Sequence, residues 1–493
     1  MPTHTPNNTD ASGQHIGRNR RTLQSGPPSP PIRVVIAVLA AAMAIFLPAA
    51  ALILAGNNAG RGAWDATVYH EPFIRQLATN WPRFDLTNPL TATTPGYHIL
   101  LATLDRFGPG STTALRIASA LIGAGLLAAL AARLARSVRP LDAFLLSLPL
   151  AASIYTFQSA AWLLPDNLAW IAVLWIITLC LRDPPGWRRI AIAGVLLAAL
   201  VFTRQVHLWA AGVIWLAAWL GVRSTDPGLF SRMPARISRT LAGVLITLPA
   251  IIIVALFVRH WGGLTPPRFQ SDMSGGNPAT PAFILVQAAV LTIGFGPWLL
   301  PAVLRAARDH AGILLGAMAA GLLLAIIPET TTNPDAGRYS GWWGINQHAP
   351  VLLGRTSLLF VIGAPIGAAV LAGPLLAIPH RARWTLLGAL IAFSAAQSAT
   401  FYSWQRYHEP FLIILLAILA AMQPEDLRQT PLARLRLPAM LVYCALLGSI
   451  SALAVRGEPV APGTPPPPKH TNPGDPWASP VAPAPVPDPP GTG

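Results

Sequence analysis

Charge is scarce in this 493-residue chain: Asp, Glu, Lys and Arg together make up 11% of it, against about a quarter in an ordinary soluble domain. With 53% hydrophobic residues and a mean hydropathy of +0.50, that scarcity excludes a water-soluble enzyme. Cysteine is nearly missing as well. Cys180 and Cys444 both fall inside apolar runs, so neither a disulfide framework nor a thiolate metal site is indicated. Lysine occurs once, at Lys469, and arginine carries the rest of the positive charge; together with the richness in alanine this points to a GC-rich bacterial genome. There is no Walker A loop, GxGxxG fingerprint or HExxH pair, the spacings that cradle phosphates or hold zinc, and the acids are too dispersed to form a metal site. A nucleotide-dependent reaction is therefore not expected. A cleavable signal peptide is not expected either, because a long polar segment precedes the first apolar run and no small-residue cleavage motif follows it.

Long apolar runs are what the chain has in abundance. They recur from Ile32 to Val455, and at 1.5 Å rise per residue about 20 residues cross a hydrocarbon core. We read an all-α, polytopic transmembrane bundle of about 13 spans: residues 32–55, 112–132, 141–155, 168–181, 190–203, 208–222, 240–258, 279–304, 312–327, 356–378, 384–400, 411–422 and 438–455. Residues 1–31 read as a disordered N-terminus and residues 457–493, dominated by Pro and Ala, as a disordered tail that cannot bury a core. The module between them is residues 32–456.

The formal charge of +15 does not indicate nucleic acid, because the arginines sit between apolar runs rather than in one stripe. With the N-terminus inside, Arg18, Arg20, Arg21 and Arg33, the Arg133/Arg136/Arg139 cluster, Arg182/Arg188/Arg189, Arg223/Arg232/Arg236/Arg239, Arg305/Arg308, Arg381/Arg383 and Arg428/Arg434/Arg436 all fall on one face. The positive-inside rule makes that face cytoplasmic in a plasma (inner) membrane. The remaining polar clusters lie opposite: residues 65–71, 91–98, Asp166-Asn167, 204–207, 268–272, 329–355 and 406–409. Binding or chemistry belongs on that extracytoplasmic face, with the tail. In its first loop, residues 68–77 and 97–104 read as short helices lying in the interface plane.

Several of these residues suit chemistry. Asp65, just after the first span, is placed to accept a proton from a hydroxyl nucleophile; its alternative is an N-cap or first-turn acid of the short helix. His70 and Glu71 are candidates beside it, or a solvated pair. The run from Asn88 to His98 is rich in turn formers and ends in a helix start suited to an anion, or is a plain return loop. Arg204, Arg338 and Arg406 border apolar spans with little polar sequence around them, a costly placement unless they are paired or face a wet cavity. Guanidinium grips phosphate through paired hydrogen bonds, which suits a lipid-linked phosphate; the alternative is snorkelling to lipid headgroups.

The Asp65-xxx-Tyr69-His70-x-Pro72 pattern, the Thr93-Thr94-Pro95-Gly96-Tyr97 turn and the Phe202-Thr203-Arg204-Gln205 segment resemble polytopic glycosyltransferases of the GT-C superfamily. Within it the branch is the one whose eukaryotic members are dolichyl-phosphate-glucose alpha-1,2-glucosyltransferases. The resemblance covers roughly the first 210 residues. It departs from the eukaryotic motif, which opens with adjacent Asp-Glu, because here Ala66 follows Asp65 and the next acid is Glu71. The resemblance implies a polyprenyl-phosphate-linked hexose donor, an acceptor hydroxyl on a glycan, lipid-linked or protein acceptor, Asp65 as general base, and no cofactor or metal. It further implies His70 and Glu71 orienting Asp65 or the acceptor, and Arg204, Gln205, Arg338 and Arg406 on the donor phosphate. Trp64, Tyr69, Thr93, Thr94, Tyr97 and His207 would contact substrate, and Trp64, Trp342 and Trp343 would stack on sugar rings. Two other classes compete: a transporter or flippase for lipid-linked sugars, for which no internal repeat is visible, and a non-catalytic membrane assembly protein.

Overall fold

A computed structural model describes residues 31–182, 185–222, 230–273, 275–456 and 459–461. The expectations for the polar N-terminus with Arg18, Arg20 and Arg21, for Arg223, and for most of the tail, with Lys469, lie outside the described residues; residues 459–461, read as part of a disordered tail, are instead paired with Asn58 and Ala59, and Val460 packs on the core. The described chain is almost wholly helical: α1 (Pro31–Leu54), α2 (Arg61–Asp65), a π-turn (Ala66–His70), α3 (Glu71–Thr79), α4 (Gly96–Phe107), α5 (Thr112–Leu134), α6 (Pro140–Ala152), α7 (Ile154–Ala161), α8 (Asp166–Cys180) and α9 (Trp187–Thr203). A 3₁₀ turn (Gln205–Trp209) leads to α10 (Ala210–Leu220), α11 (Met233–Trp261), α12 (Pro267–Met273), α13 (Thr280–Asp309), α14 (Ala311–Ile326) and α15 (Trp342–Asn346). A two-residue hairpin, β1 (Val351–Leu352) with β2 (Thr356–Ser357), then precedes α16 (Leu358–Ala377), α17 (His380–Ser398), α18 (Gln405–Met422), α19 (Glu425–Arg428) and α20 (Arg436–Ala454).

Six helices are long and apolar enough to cross a membrane, and a seventh if α6 and α7, bent by 74° at Ser153, form one span. This is a multi-pass helical membrane protein. Twelve of the thirteen runs expected to span fall mainly on one helix each, and the run 141–155 is divided between α6 and α7; α8, α10 and α14 are shorter than a full crossing, and the helices long and apolar enough to span number six or seven among the described residues rather than thirteen. Local sequence marks several starts: Ser111 accepts the backbone N–H of Ala114 at 3.1 Å to cap α5, and Pro stands in the first turn of α6, α11 and α13, where its missing N–H costs nothing. The interfacial helix expected over 68–77 is longer, since α2, the π-turn and α3 run on continuously from Arg61 to Thr79.

Small residues let the outer helices approach closely, because apolar burial does not drive helix association in lipid. Gly367 of α16 lies so near α13 that an added Cβ would meet the Leu285 carbonyl oxygen at 1.8 Å. Gly316 of α14 has open space. Most buried apolar residues form one core around α5, α8, α9 and α18. A smaller one gathers Phe283, Trp343, Phe360 and Ala364 under the loop between α14 and α16.

Gly367→Ala should lower stability by about 1–3 kcal/mol through overpacking, whereas Gly316→Ala should be neutral or stabilising by up to about 1 kcal/mol through helix propensity. Thermal unfolding of the two variants in the same detergent tests the pair.

Candidate functional site

Four chain segments far apart in sequence bring charged side chains to one end of the bundle. Asp65 is the last residue of α2, Asp166 the first of α8, Arg204 follows the end of α9 in extended backbone, and Arg406 is the second residue of α18. Arg406 bridges the two acids: one terminal nitrogen lies 2.7 Å from Asp65 Oδ2 and the other 3.1 Å from Asp166 Oδ2. Arg204 pairs with the other oxygen of Asp166, and Arg61 Nε stands 3.4 Å from Asp65 Oδ1. Three guanidinium groups therefore meet two carboxylates. Asp65, Asp166 and Arg204 are each less than a tenth exposed, while the Arg61 side chain is 40% exposed, so the cluster opens at the Arg61 edge.

This geometry decides among the local readings. Asp65 ends its short helix and makes no capping hydrogen bond, so it is not a cap. Arg204 and Arg406 hold carboxylates rather than reaching for lipid headgroups. Arg204 also lies over the Tyr407 ring, 5.5 Å from its centroid. Trp64 borders the opening with Arg61 over its ring at 4.3 Å and Tyr69 edge-on at 5.3 Å.

The π-turn widens the helix between Asp65 and Glu71, and it separates the fates of His70 and Glu71. His70 turns inward and its Nδ1 lies 2.8 Å from His98 Nε2. Burial first, then the nearby Arg406 and Arg204, push the His70 imidazole from 6.5 down to about 3. His98, also buried and beside His70, is lowered well below its usual range. The two rings are neutral, one donating and one accepting. Glu71 instead binds Arg75 at 3.0 Å and Thr112, and Arg75 also holds Asp105. Glu71 does not join Asp65.

Other expected site residues serve packing. Gln205 accepts the Thr94 N–H at 3.1 Å and donates to the Ala92 and Leu264 carbonyls at 2.9 and 3.0 Å, pinning the Thr93-Thr94-Pro95 turn onto the end of α9. The Thr94 hydroxyl donates to Val201 O at 2.7 Å, and the Thr93 hydroxyl is buried without a partner. At the start of α4, Gly96 lies against the backbone of Phe202. Tyr97 is wholly buried with its hydroxyl 3.0 Å from Ser119 Oγ, so it cannot touch a substrate. His207 is buried beneath Arg204, and its Nδ1 accepts Trp209 Nε1–H at 3.2 Å. Arg338, in the loop after α14, pairs with Glu329 at 3.1 Å rather than with Asp65 or Asp166, and donates to Thr331 O at 2.9 Å. Trp343 cannot stack on a sugar: Phe283 and Phe360 cover it at 4.6 and 4.9 Å, and its indole N–H donates to Ser403 O at 2.6 Å. The Trp342 backbone N–H donates to Gln405 at 3.0 Å.

Sequence reasoning placed Asp166, Tyr407 and His98 in polar clusters of the face expected to carry the chemistry without giving any of them a part beside Asp65, and it left Arg61 out. For Asp166 a signal exists: a carboxylate flanked by apolar runs is costly and calls for a partner or a function. The pairing itself, between residues 240 and 341 positions apart, has no signature in the sequence. Among the described residues no group of three His, Cys, Asp or Glu side chains lies close enough together to hold a metal ion.

The histidine pair gives a pH prediction. Both imidazoles are neutral when folded and titrate near 6.5 when unfolded, so the unfolded chain binds more protons below that value. The stability from the neutral pair is complete above pH 6.5 and is lost as pH falls below 6.5, by up to about 1.4 kcal/mol per pH unit for each histidine. Thermal unfolding between pH 8 and 4 should show a shallower decline for His98→Leu than for the natural chain; equal slopes refute the assignment. No protein-family model matches this chain, and no curated protein matches it in sequence.

Proposed function

We propose that the protein is an integral-membrane glycosyltransferase that moves a hexose from a polyprenyl-phosphate-linked donor to an acceptor hydroxyl. The supporting observation is the bridge from Arg406 to both Asp65 and Asp166, with Arg204 on Asp166 and Arg61 on Asp65. It places a candidate base within one guanidinium of a candidate phosphate clamp. On this reading the donor's phosphodiester, a single negative charge, enters at the Arg61 edge and takes hydrogen-bond donors of Arg406 and Arg204 now engaged by the carboxylates. That exchange frees an oxygen of Asp65.

The acceptor oxygen then attacks the anomeric carbon and its proton passes to Asp65. The bond from the anomeric carbon to the phosphate oxygen breaks, its electron pair leaves with the lipid phosphate, and the configuration inverts. Arg204 and Arg406 stabilise the charge that develops on the leaving phosphate. Asp166 keeps both arginines aimed, and the neutral His70 adds no charge to compete for the donor. Trp64 and Tyr69, partly open at the mouth, are placed for a sugar ring. Thirteen crossings with a cytoplasmic N-terminus in the plasma (inner) membrane put this site and the C-terminal tail on the extracytoplasmic face, where a lipid-borne activated sugar replaces nucleotide donors.

Transfer from a panel of radiolabelled polyprenyl-phosphate hexoses in nanodiscs tests the reading. Asp65→Asn should lower turnover at least about a hundredfold in a chain that still folds with a lowered melting midpoint, because it takes one carboxylate from the buried Arg406, and Arg406→Gln should act in the same direction. If no donor is consumed with any acceptor extract while labelled lipid crosses the bilayer with wild type and Asp65→Asn alike, the protein is a flippase and the transferase reading fails.

A further inference from the structure

The chain returns to the candidate site after its last long helix. Beyond α20, Pro459 pairs as an antiparallel bridge with Ala59, in the linker between α1 and α2. The Val460 N–H donates to the Asn58 carbonyl at 2.8 Å, and the Asn58 side-chain amide donates to the Val460 carbonyl at 2.8 Å. The same amide nitrogen lies 3.2 Å from the Thr67 hydroxyl, in the π-turn directly after Asp65. Val460 packs against the main core. Gly60, the residue before α2, has φ of 87° and sits so close to the end of α20 that an added Cβ would lie 2.2 Å from the Ala454 carbonyl oxygen. The helix carrying Asp65 is thus clamped at its start by chain from the far end of the sequence, and no other strand-like pairing joins segments so distant among the described residues.

We infer that residues 459–461 form a strap that sets the position of Asp65, with Asn58 and Val460 as positioning residues that touch no reacting atom. The inference rests on the reading of Asp65 as the base. A base must stand within hydrogen-bond reach of its proton, and a displacement of about 1 Å costs of order a hundredfold in rate. Asn58 is suited to the task because a single carboxamide engages the strap and the π-turn at once. The strap also joins the chain just after the bundle's last long helix to the linker just after its first.

The test uses the full chain with Val460→Pro, which removes the N–H given to Asn58 and alters the Val460 side chain's packing, and Asn58→Asp, which keeps the shape but removes the donor to Val460 and Thr67. A chain ending at Ala461 is the control that retains the strap. Two readouts are taken. Amide hydrogen exchange over residues 58–70 should accelerate about tenfold or more in both variants, with the melting midpoint and the exchange of α5 and α8 unchanged, and should stay as in wild type for the control. In transfer assays kcat should fall about tenfold or more while KM for the donor lipid stays within about twofold. Unchanged exchange over residues 58–70 in Val460→Pro overturns the strap. So does faster exchange with kcat intact, which leaves the contact merely structural. If exchange accelerates as expected but wild type itself transfers no sugar from any donor, the transferase reading has failed and the strap stands as a positional clamp alone.

Discussion

Arg406 holds two carboxylates that belong to helices on different sides of the bundle, and the shape of the polar end depends on that one guanidinium. Its two terminal nitrogens face Asp65 on α2 and Asp166 on α8, so α18 is tied to both. A lone charge of either sign at this depth would be costly. Arranged as alternating guanidinium and carboxylate, from Arg61 through Asp65, Arg406 and Asp166 to Arg204, the charges compensate one another along a row. The row is buried at the Arg204 end and open at the Arg61 end. On the proposed reading, that asymmetry would give a donor phosphate a direction of approach, and each oxygen it offered to Arg406 would compete with one that Asp65 now supplies.

Around the row the protein removes other sources of charge. His70 and His98 answer each other with one hydrogen bond and remain neutral. Glu71 is drawn off to Arg75 and Thr112, and Arg338 to Glu329. The Thr93–Gly96 turn, which carries much of the resemblance to polytopic glycosyltransferases, is a fastening between the first loop and the end of α9, made through Gln205. A motif can be specific to a fold for reasons of assembly, and buried threonine and tyrosine hydroxyls with protein partners fit that role better than contact with a ligand.

Much of the architecture was legible because its cause is local. Apolar runs between arginine clusters can satisfy their backbone only as helices in a membrane, and all but one of the runs read as spans lie mainly on a single helix. The break after Ala152 was not legible: residues 141–155 read as one run, and the turn at Ser153 comes with the Ser153 hydroxyl donating to Glu409 at 2.5 Å, a partner 256 positions away. The tryptophans misled for a related reason. Trp342 and Trp343 look alike in a polar loop, yet Trp343 is enclosed by Phe283 and Phe360, and only packing distinguishes a core indole from one at an opening.

By itself the sequence determined the solvent, most of the helices and many of the residues unusual enough to matter, since hydropathy, charge spacing and the cost of an arginine beside lipid are properties of short stretches of chain. Tertiary structure alone decided which of them meet. Asp65 found Arg406 rather than a helix terminus, Asp166 joined a site in which it had no assigned part, and Pro459–Ala461 came back to the linker before α2. Each of these depends on the relative placement of helices hundreds of residues apart. No local propensity encodes that placement, because it follows from how small residues, buried aromatics and compensated charges pack together.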